Sequence, residues 1–235
     1  MRRLVAAALA GLALTGCGGG AGESTTVFAA ASLGAAFEEI ADGSDVSLSF
    51  DGSSGLVDQL AGGAPADVLA TADEKTMDRA VDLGLVAGEP TMFATNRLVL
   101  VTPPDNPAGV TGLDDSLDGA KLVVCAPDVP CGDASARLAR RAGVALGPVS
   151  EETKVTDVLG KVTAGEADAG LVYLTDARGA GDAVRVIEVP GANDEPNTYW
   201  IAAVTGGDEQ RARQFIQLVR DAAPVLERHG FGPGA

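Results

Sequence analysis

Four short stretches of this chain combine small or hydroxyl-bearing residues with the start of an apolar helical repeat. They are Ala29-Ala30-Ala31-Ser32-Leu33, Phe50-Asp51-Gly52-Ser53-Ser54-Gly55-Leu56, Val129-Pro130-Cys131-Gly132-Asp133 and Glu152-Thr153-Lys154-Val155. A helix start carries N–H groups without intrahelical partners and a partial charge of roughly +0.5. Four such ends converging on one point supply at most about +2, the charge that a doubly negative ion needs. Serine hydroxyls add donors without adding charge, and Tyr173 adds a phenol at the end of an apolar run. The chemistry these residues suit is capture of a small anion by neutral donors. Each residue also has an ordinary role. Ser32 and Ser53 fit helix N-caps worth about 1 kcal/mol each. Tyr173 fits a core ring with a wet hydroxyl, Cys131 half of a disulfide, and Val155 a first-turn core residue. Spacing alone leaves both readings open.

Covalent catalysis and metal binding find little support. No Gly-x-Ser-x-Gly elbow, phosphate-binding Walker loop or His-Glu-x-x-His pair is present. The single histidine, His229, lies near the C-terminus, so acid–base chemistry through imidazole is not expected, and the chain reads as a non-enzyme. Only Cys125 and Cys131 are left for zinc once Cys17 is set aside, which argues against such a site. A ferric site would want several tyrosines, and only Tyr173 and Tyr199 exist.

Charge narrows the partners further. The chain has 33 acidic and 17 basic residues, for a net charge of −16. Residues 1–16 hold two arginines and no acid, so the charge without them is −18. Such a surface repels nucleic acid. It also repels anions, so an anionic ligand must be held by local donors. At 4% aromatic residues, stacking platforms for sugars or bases are not expected.

The elements that must position these residues follow from periodicity. Apolar or alternating runs at Thr26–Ala30, Val46–Phe50, Asp67–Ala70, Arg97–Val101, Lys121–Val124, Gly170–Tyr173, Val184–Ile187 and Tyr199–Val204 read as strands. Between them lie helical faces. Leu33, Phe37 and Ile40 mark one, and Leu56, Val57 and Leu60 another. Met77, Ala80 and Val81 mark a helix stopped near Gly84, Leu138 and Ala142 one ending at Gly143, and Val155 to Val162 one ending near Gly165. Phe215 to Leu226 mark a last helix closing at Gly230. Strands alternating with helices predict an α/β fold on largely parallel sheets flanked by helices. Ligands in such folds sit beyond the carboxyl ends of the strands. Proline-rich stretches at Thr102–Pro107 and Val189–Pro196 read as surface loops of a second lobe. The expected division is residues 25–95 with 197–235 in lobe I and 96–196 in lobe II.

The N-terminus reads as an address. Arg2-Arg3, an apolar run from Leu4 to Leu14, and Leu14-Thr15-Gly16-Cys17 form a secretory signal over residues 1–16. The apolar run is too short to span a bilayer, which needs roughly 20 residues. The last four residues resemble a bacterial lipobox, which implies a lipid on Cys17. Residues 17–24 then read as a flexible tether. In an oxidising compartment, Cys125 and Cys131, six positions apart, are candidates for a local disulfide.

Taken in order, several segments resemble one family. They are Val27–Leu33, Ser53–Leu60, Gly63–Val68, Ala72–Asp78, Asn96–Leu100, Val129–Gly132, Gly170–Tyr173 and His229–Phe231. The family is the molybdate-binding proteins of ABC transporters, with the type II periplasmic-binding-protein fold. The resemblance spans nearly the whole mature chain. It implies two α/β lobes around a ligand cleft, no cofactor, and a monomer anchored by lipid to the outer face of the cell membrane. An ABC permease and its ATPase are the implied partners. It further implies that molybdate or tungstate is held without direct bonds from protein to metal. By position, Ser32 and Ser53 would donate from hydroxyl and backbone, Cys131 and Val155 from backbone N–H, and Tyr173 from its phenol. The chain departs at Cys131, where the family often has alanine, and the segment around Glu151–Lys154 diverges. Sulfate, phosphate or another small anion is the alternative ligand within the same fold and role.

Overall fold

The computed structural model describes residues 24–234. The expected signal, the expected lipidation at Cys17 and most of the expected tether therefore lie outside the described residues. Two mixed sheets form the framework. The first carries β1 (Thr25–Ala30), β2 (Val46–Asp51), β3 (Val68–Thr71), β4 (Val86–Asn96), β10 (Asn197–Val204) and β11 (Gly232–Pro233), in the order β11-β4-β10-β3-β1-β2. The second carries β5 (Leu98–Thr102), β6 (Leu122–Cys125), β7 (Ser150–Glu152), β8 (Ala169–Tyr173) and β9 (Arg185–Ile187), in the order β7-β6-β8-β5-β9. The chain passes from the first sheet to the second between Asn96 and Leu98 and returns between Ile187 and Asn197. The two crossings lie side by side, because Asn96 and Asn197 face each other in the β4–β10 ladder.

Helices flank both sheets. α1 (Gly34–Ala41) continues a 3-10 turn at Ala31–Leu33. α2 (Ser53–Ala61), α3 (Glu74–Asp82), α7 (Glu209–Asp221) and α8 (Ala223–His229) accompany the first sheet. α4 (Pro130–Ala142), α5 (Val155–Thr163) and α6 (Leu174–Ala180) accompany the second. Their apolar stripes face the sheets. Phe37 of α1 is fully buried and meets the rings of Phe93 and Phe215 at centroid distances of 5.9 and 5.6 Å. The innermost strands, β1, β3 and β8, are apolar runs buried along nearly their whole length, as strands covered on both faces must be.

The α/β architecture matches the sequence expectation, with differences that have physical causes. The strands that precede the candidate donors pair in parallel, β1 with β2 and β3, and β6 with β7 and β8. The strands next to the crossings, β4, β5 and β10, run antiparallel to their neighbours. β4 is invisible to periodicity because it bulges. Ala87 pairs with Ala203 and Thr91 with Ile201, so residues 88–90, which include Pro90, loop out of the ladder. α6 lacks a continuous apolar stripe. The final helix is two helices, broken at Ala222, because Pro224 has no N–H and its ring would clash with the preceding turn.

Truncating the ring that joins α1 to the rest of the core gives a direct check. Phe37→Ala lowers the unfolding free energy by about 3–5 kcal/mol, measured by urea denaturation; a loss below about 1 kcal/mol would contradict this packing.

Candidate functional site

Register brings the helix starts together. In the first sheet, Ala30 at the end of β1 lies level with Asp51 at the end of β2. In the second, Cys125 at the end of β6 lies level with Glu152 at the end of β7. Each strand then feeds a helix within a few residues: the Ala31–Leu33 turn, α2, α4 and α5. The two sheets present these ends to one another across a small cavity. Ser32, Ser53, Cys131, Val155 and Tyr173 all line it, with Gly52, Pro130, Thr153 and Lys154 among their neighbours.

The capping pattern separates these helix starts from those of α3, α7 and one 3-10 turn. α3, α7 and the 3-10 turn at Asp115–Leu117 are capped by the carboxylates of Asp73, Asp208 and Asp114. At the cavity the N-cap positions are Ala30, Gly52, Val129 and Lys154, and none gives a side-chain cap bond. First-turn N–H groups ordinarily find a capping oxygen or water. Here four helix starts border the cavity without a side-chain cap, an arrangement suited to an anion.

The hydroxyls are oriented by protein donors. Ser53 Oγ accepts from the Ala72 N–H at 3.0 Å. Tyr173 Oη accepts from Asn197 Nδ2 at 2.8 Å. Asn96 Nδ2 donates to Tyr199 Oη at 3.4 Å and to Thr175 Oγ1 at 2.8 Å, while Asn96 Oδ1 accepts from the Arg97 N–H. Tyr199 Oη lies 2.7 Å from Ser32 Oγ, and either hydroxyl can donate to the other. The Ser53 and Tyr173 oxygens thus each receive a hydrogen bond, which leaves their own protons free to point into the cavity. Burial pushes the Tyr173 hydroxyl well above the usual phenol range, helped by the charges of Asp73 and Asp176, and burial raises Tyr199 too. Both stay protonated donors.

Close packing seals the site. A Cβ on Gly52 would lie 2.3 Å from the Thr153 carbonyl oxygen of the opposite sheet, so only glycine allows this approach. Ser54 Oγ donates to the Asp128 carbonyl across the same seam at 3.1 Å. Lys154 is the one cation among the lining residues, and its ammonium faces the Asp51 carboxylate at 3.9 Å, offsetting its charge. Asp51 is itself held by the Gly52 N–H and Gln59 Nε2. A disulfide joins Cys125 to Cys131 and ties the end of β6 to the first turn of α4. In that loop a Cβ on Gly132 would meet the Ala126 carbonyl oxygen at 1.8 Å. The cavity measures about 20 Å³, little more than one water-sized sphere fills. Larger clefts exist, including one of about 610 Å³ beside Thr26 and Asp67. That cleft lies at the amino ends of β1 and β3, away from every candidate donor.

The five residues singled out from sequence meet in one place. The sequence reading missed the residues behind them: Asn96, Asn197, Tyr199 and Ala72. Their partners lie 19 to 167 positions away along the chain, so no local pattern marks them.

Comparison with known proteins adds an independent line. Residues 21–232 match the family model described as bacterial extracellular solute-binding protein. The molybdate-binding protein ModA of Mycobacterium tuberculosis is 44% identical over 219 residues, covering 88% of this chain and 84% of that relative. The molybdate-binding protein ModA of Escherichia coli is 33% identical, covering 88% of each. The solved periplasmic molybdate-binding protein of Azotobacter vinelandii superposes with a TM-score of 0.76 at 22% identity, over 88% of this chain and 98% of that one, and shares the fold.

One titrating group sits beside the cavity. Asp176, in the first turn of α6, accepts the Tyr173 N–H at 3.2 Å. Desolvation pushes its carboxyl up to about 7, against the lowering effect of backbone N–H bonds from Tyr173 and Asp176 itself. Between about pH 4 and 7 the folded chain holds a proton that the unfolded chain has released, so this group makes stability fall as pH rises through that window. Asp176→Asn removes the contribution: its urea midpoint gains on the wild type from pH 5 to pH 7.5. A constant difference between the two proteins would contradict the assignment.

Proposed function

The chain belongs to the bacterial extracellular solute-binding proteins, in their molybdate-binding group, and we propose that it captures molybdate and delivers it to an ABC importer. The observation that carries the ligand class is the set of four uncapped helix starts around one small cavity together with the hydroxyls of Ser32, Ser53 and Tyr173. Ser32, Ser53 and Tyr173 donate through hydroxyls, and Ser32, Ser53, Cys131 and Val155 through backbone N–H groups. No bond runs from protein to molybdenum, and no cofactor takes part. The role is binding, not catalysis.

A site made of donors favours a fully deprotonated tetrahedral ion. Hydrogen phosphate brings a proton that finds no acceptor and leaves a buried donor unpaired, at about 1–3 kcal/mol. Tungstate, with the same charge and nearly the same size, binds similarly in this reading. Sulfate, smaller at the same charge, reaches fewer of these donors at once in this reading.

The transport cycle follows from the two crossings. Residues 25–95 with 197–235 form lobe I, and residues 96–196 form lobe II. The lobes close over the ion, and the closed, monomeric protein docks on the permease, which an ATPase drives. A lipid on Cys17 keeps the protein at the outer face of the cell membrane, with residues 17–24 as the tether.

Thermal unfolding of protein lacking residues 1–23, titrated with molybdate, tungstate, sulfate and phosphate, tests the ligand. Molybdate and tungstate at about 100 times their dissociation constant stabilise by about 2.7 kcal/mol, and Ser32→Ala weakens molybdate binding by about 1.5–3 kcal/mol. Stabilisation by sulfate or phosphate instead would assign another anion to the same transport role. No response to any of the four would overturn the oxyanion reading.

A further inference from the structure

The side chain of Asn197 is buried where the chain re-enters the first sheet, and its partners belong to both sheets. Its Nδ2 donates to the Ala72 carbonyl at 3.0 Å and to Tyr173 Oη at 2.8 Å, with the Pro130 carbonyl at 3.5 Å. Its Oδ1 accepts from Arg137 Nη2 at 3.2 Å. Arg137 in turn is anchored on α4 by an ion pair to Asp133.

This network admits one orientation of the amide. Two carbonyls face the nitrogen, and a guanidinium that can only donate faces the oxygen, so a flipped amide would oppose like groups on both sides. Nδ2 therefore donates to Tyr173 Oη, and the phenol proton must go elsewhere. Tyr173 lines the cavity, and the proton's outlet is the cavity.

We propose that Asn197, locked by Arg137, is a positioning residue that makes Tyr173 an obligatory donor and so selects fully deprotonated oxyanions over protonated ones of similar shape. The inference rests on the oxyanion reading above and deepens it. Without the Asn197 amide, nothing holds the Tyr173 proton toward the cavity, and the phenol can turn it away. The phenol oxygen then presents lone pairs to the cavity. Those repel molybdate but accept the proton of a hydrogen-oxyanion. Arg137 lies outside the cavity lining, so its effect must pass through the amide.

The test is the ratio of affinities for molybdate and arsenate at about pH 8, where arsenate keeps one proton and molybdate none. Asn197→Leu is expected to lower the molybdate-to-arsenate ratio at least tenfold. Arg137→Met lowers it by a smaller factor, and Arg137→Lys, which restores a donor to Oδ1, recovers it. Melting temperatures confirm that each variant is folded. A merely structural role would weaken both ions alike, so an unchanged ratio in Asn197→Leu or in Arg137→Met overturns the proposal while leaving the oxyanion reading intact. Wild-type protein that binds neither ion overturns both.

Discussion

A doubly charged ion has to leave water and enter a protein whose own charge repels it. That demand shapes the rest of this molecule. With 33 acidic residues against 17 basic ones, no favourable long-range field is available, so compensation must come from groups within hydrogen-bond reach. Neutral donors meet it if many converge. Helix starts provide several at once, with a fractional positive charge and no side-chain counterion to displace. The pairing of β1 with β2 and of β6 with β7 in level register is the architectural consequence. Each pair delivers two helix starts side by side, and two sheets facing each other deliver four.

Convergence imposes its own constraints nearby. Backbones must approach closely, which is why Gly52 meets the Thr153 carbonyl and Gly132 that of Ala126. Side-chain caps are absent there, with alanine, glycine, valine and lysine at four positions equivalent to those where aspartate caps α3 and α7. Hydroxyl protons must point inward, which requires a donor behind each oxygen. That second layer is the Ala72 N–H behind Ser53, the Asn197 amide behind Tyr173, and Tyr199, held by Asn96, beside Ser32. Asn96 and Asn197 stand opposite each other at the two chain crossings, so the residues that orient the donors sit where the two sheets are joined.

Much of this was legible in the sequence. Apolar runs marked the buried strands, and the starts of the helical repeats marked Ser32, Ser53, Cys131 and Val155. Local chemistry governs both features. The second layer was not legible, because an asparagine that orients a tyrosine 24 positions away leaves no local trace. β4 was hidden by its bulge, and the break between α7 and α8 was masked by an apolar stripe that continues past Pro224. Tyr173 was picked for its position at a strand end, yet what makes it a donor is the amide behind it. Lys154 shows the converse. A lysine beside an anion site invites a direct ion pair, but the structure turns it toward Asp51.

The central claim is that neutral donors alone hold the ion between the two sheets. A crystal structure of the molybdate complex tests it most directly. The account predicts oxygens of the ion about 2.7–3.1 Å from the hydroxyls of Ser32, Ser53 and Tyr173 and from the N–H groups of Cys131 and Val155, with Lys154 still paired to Asp51. An ion bound to the Lys154 ammonium, or seated in the cleft beside Thr26 and Asp67, would contradict it.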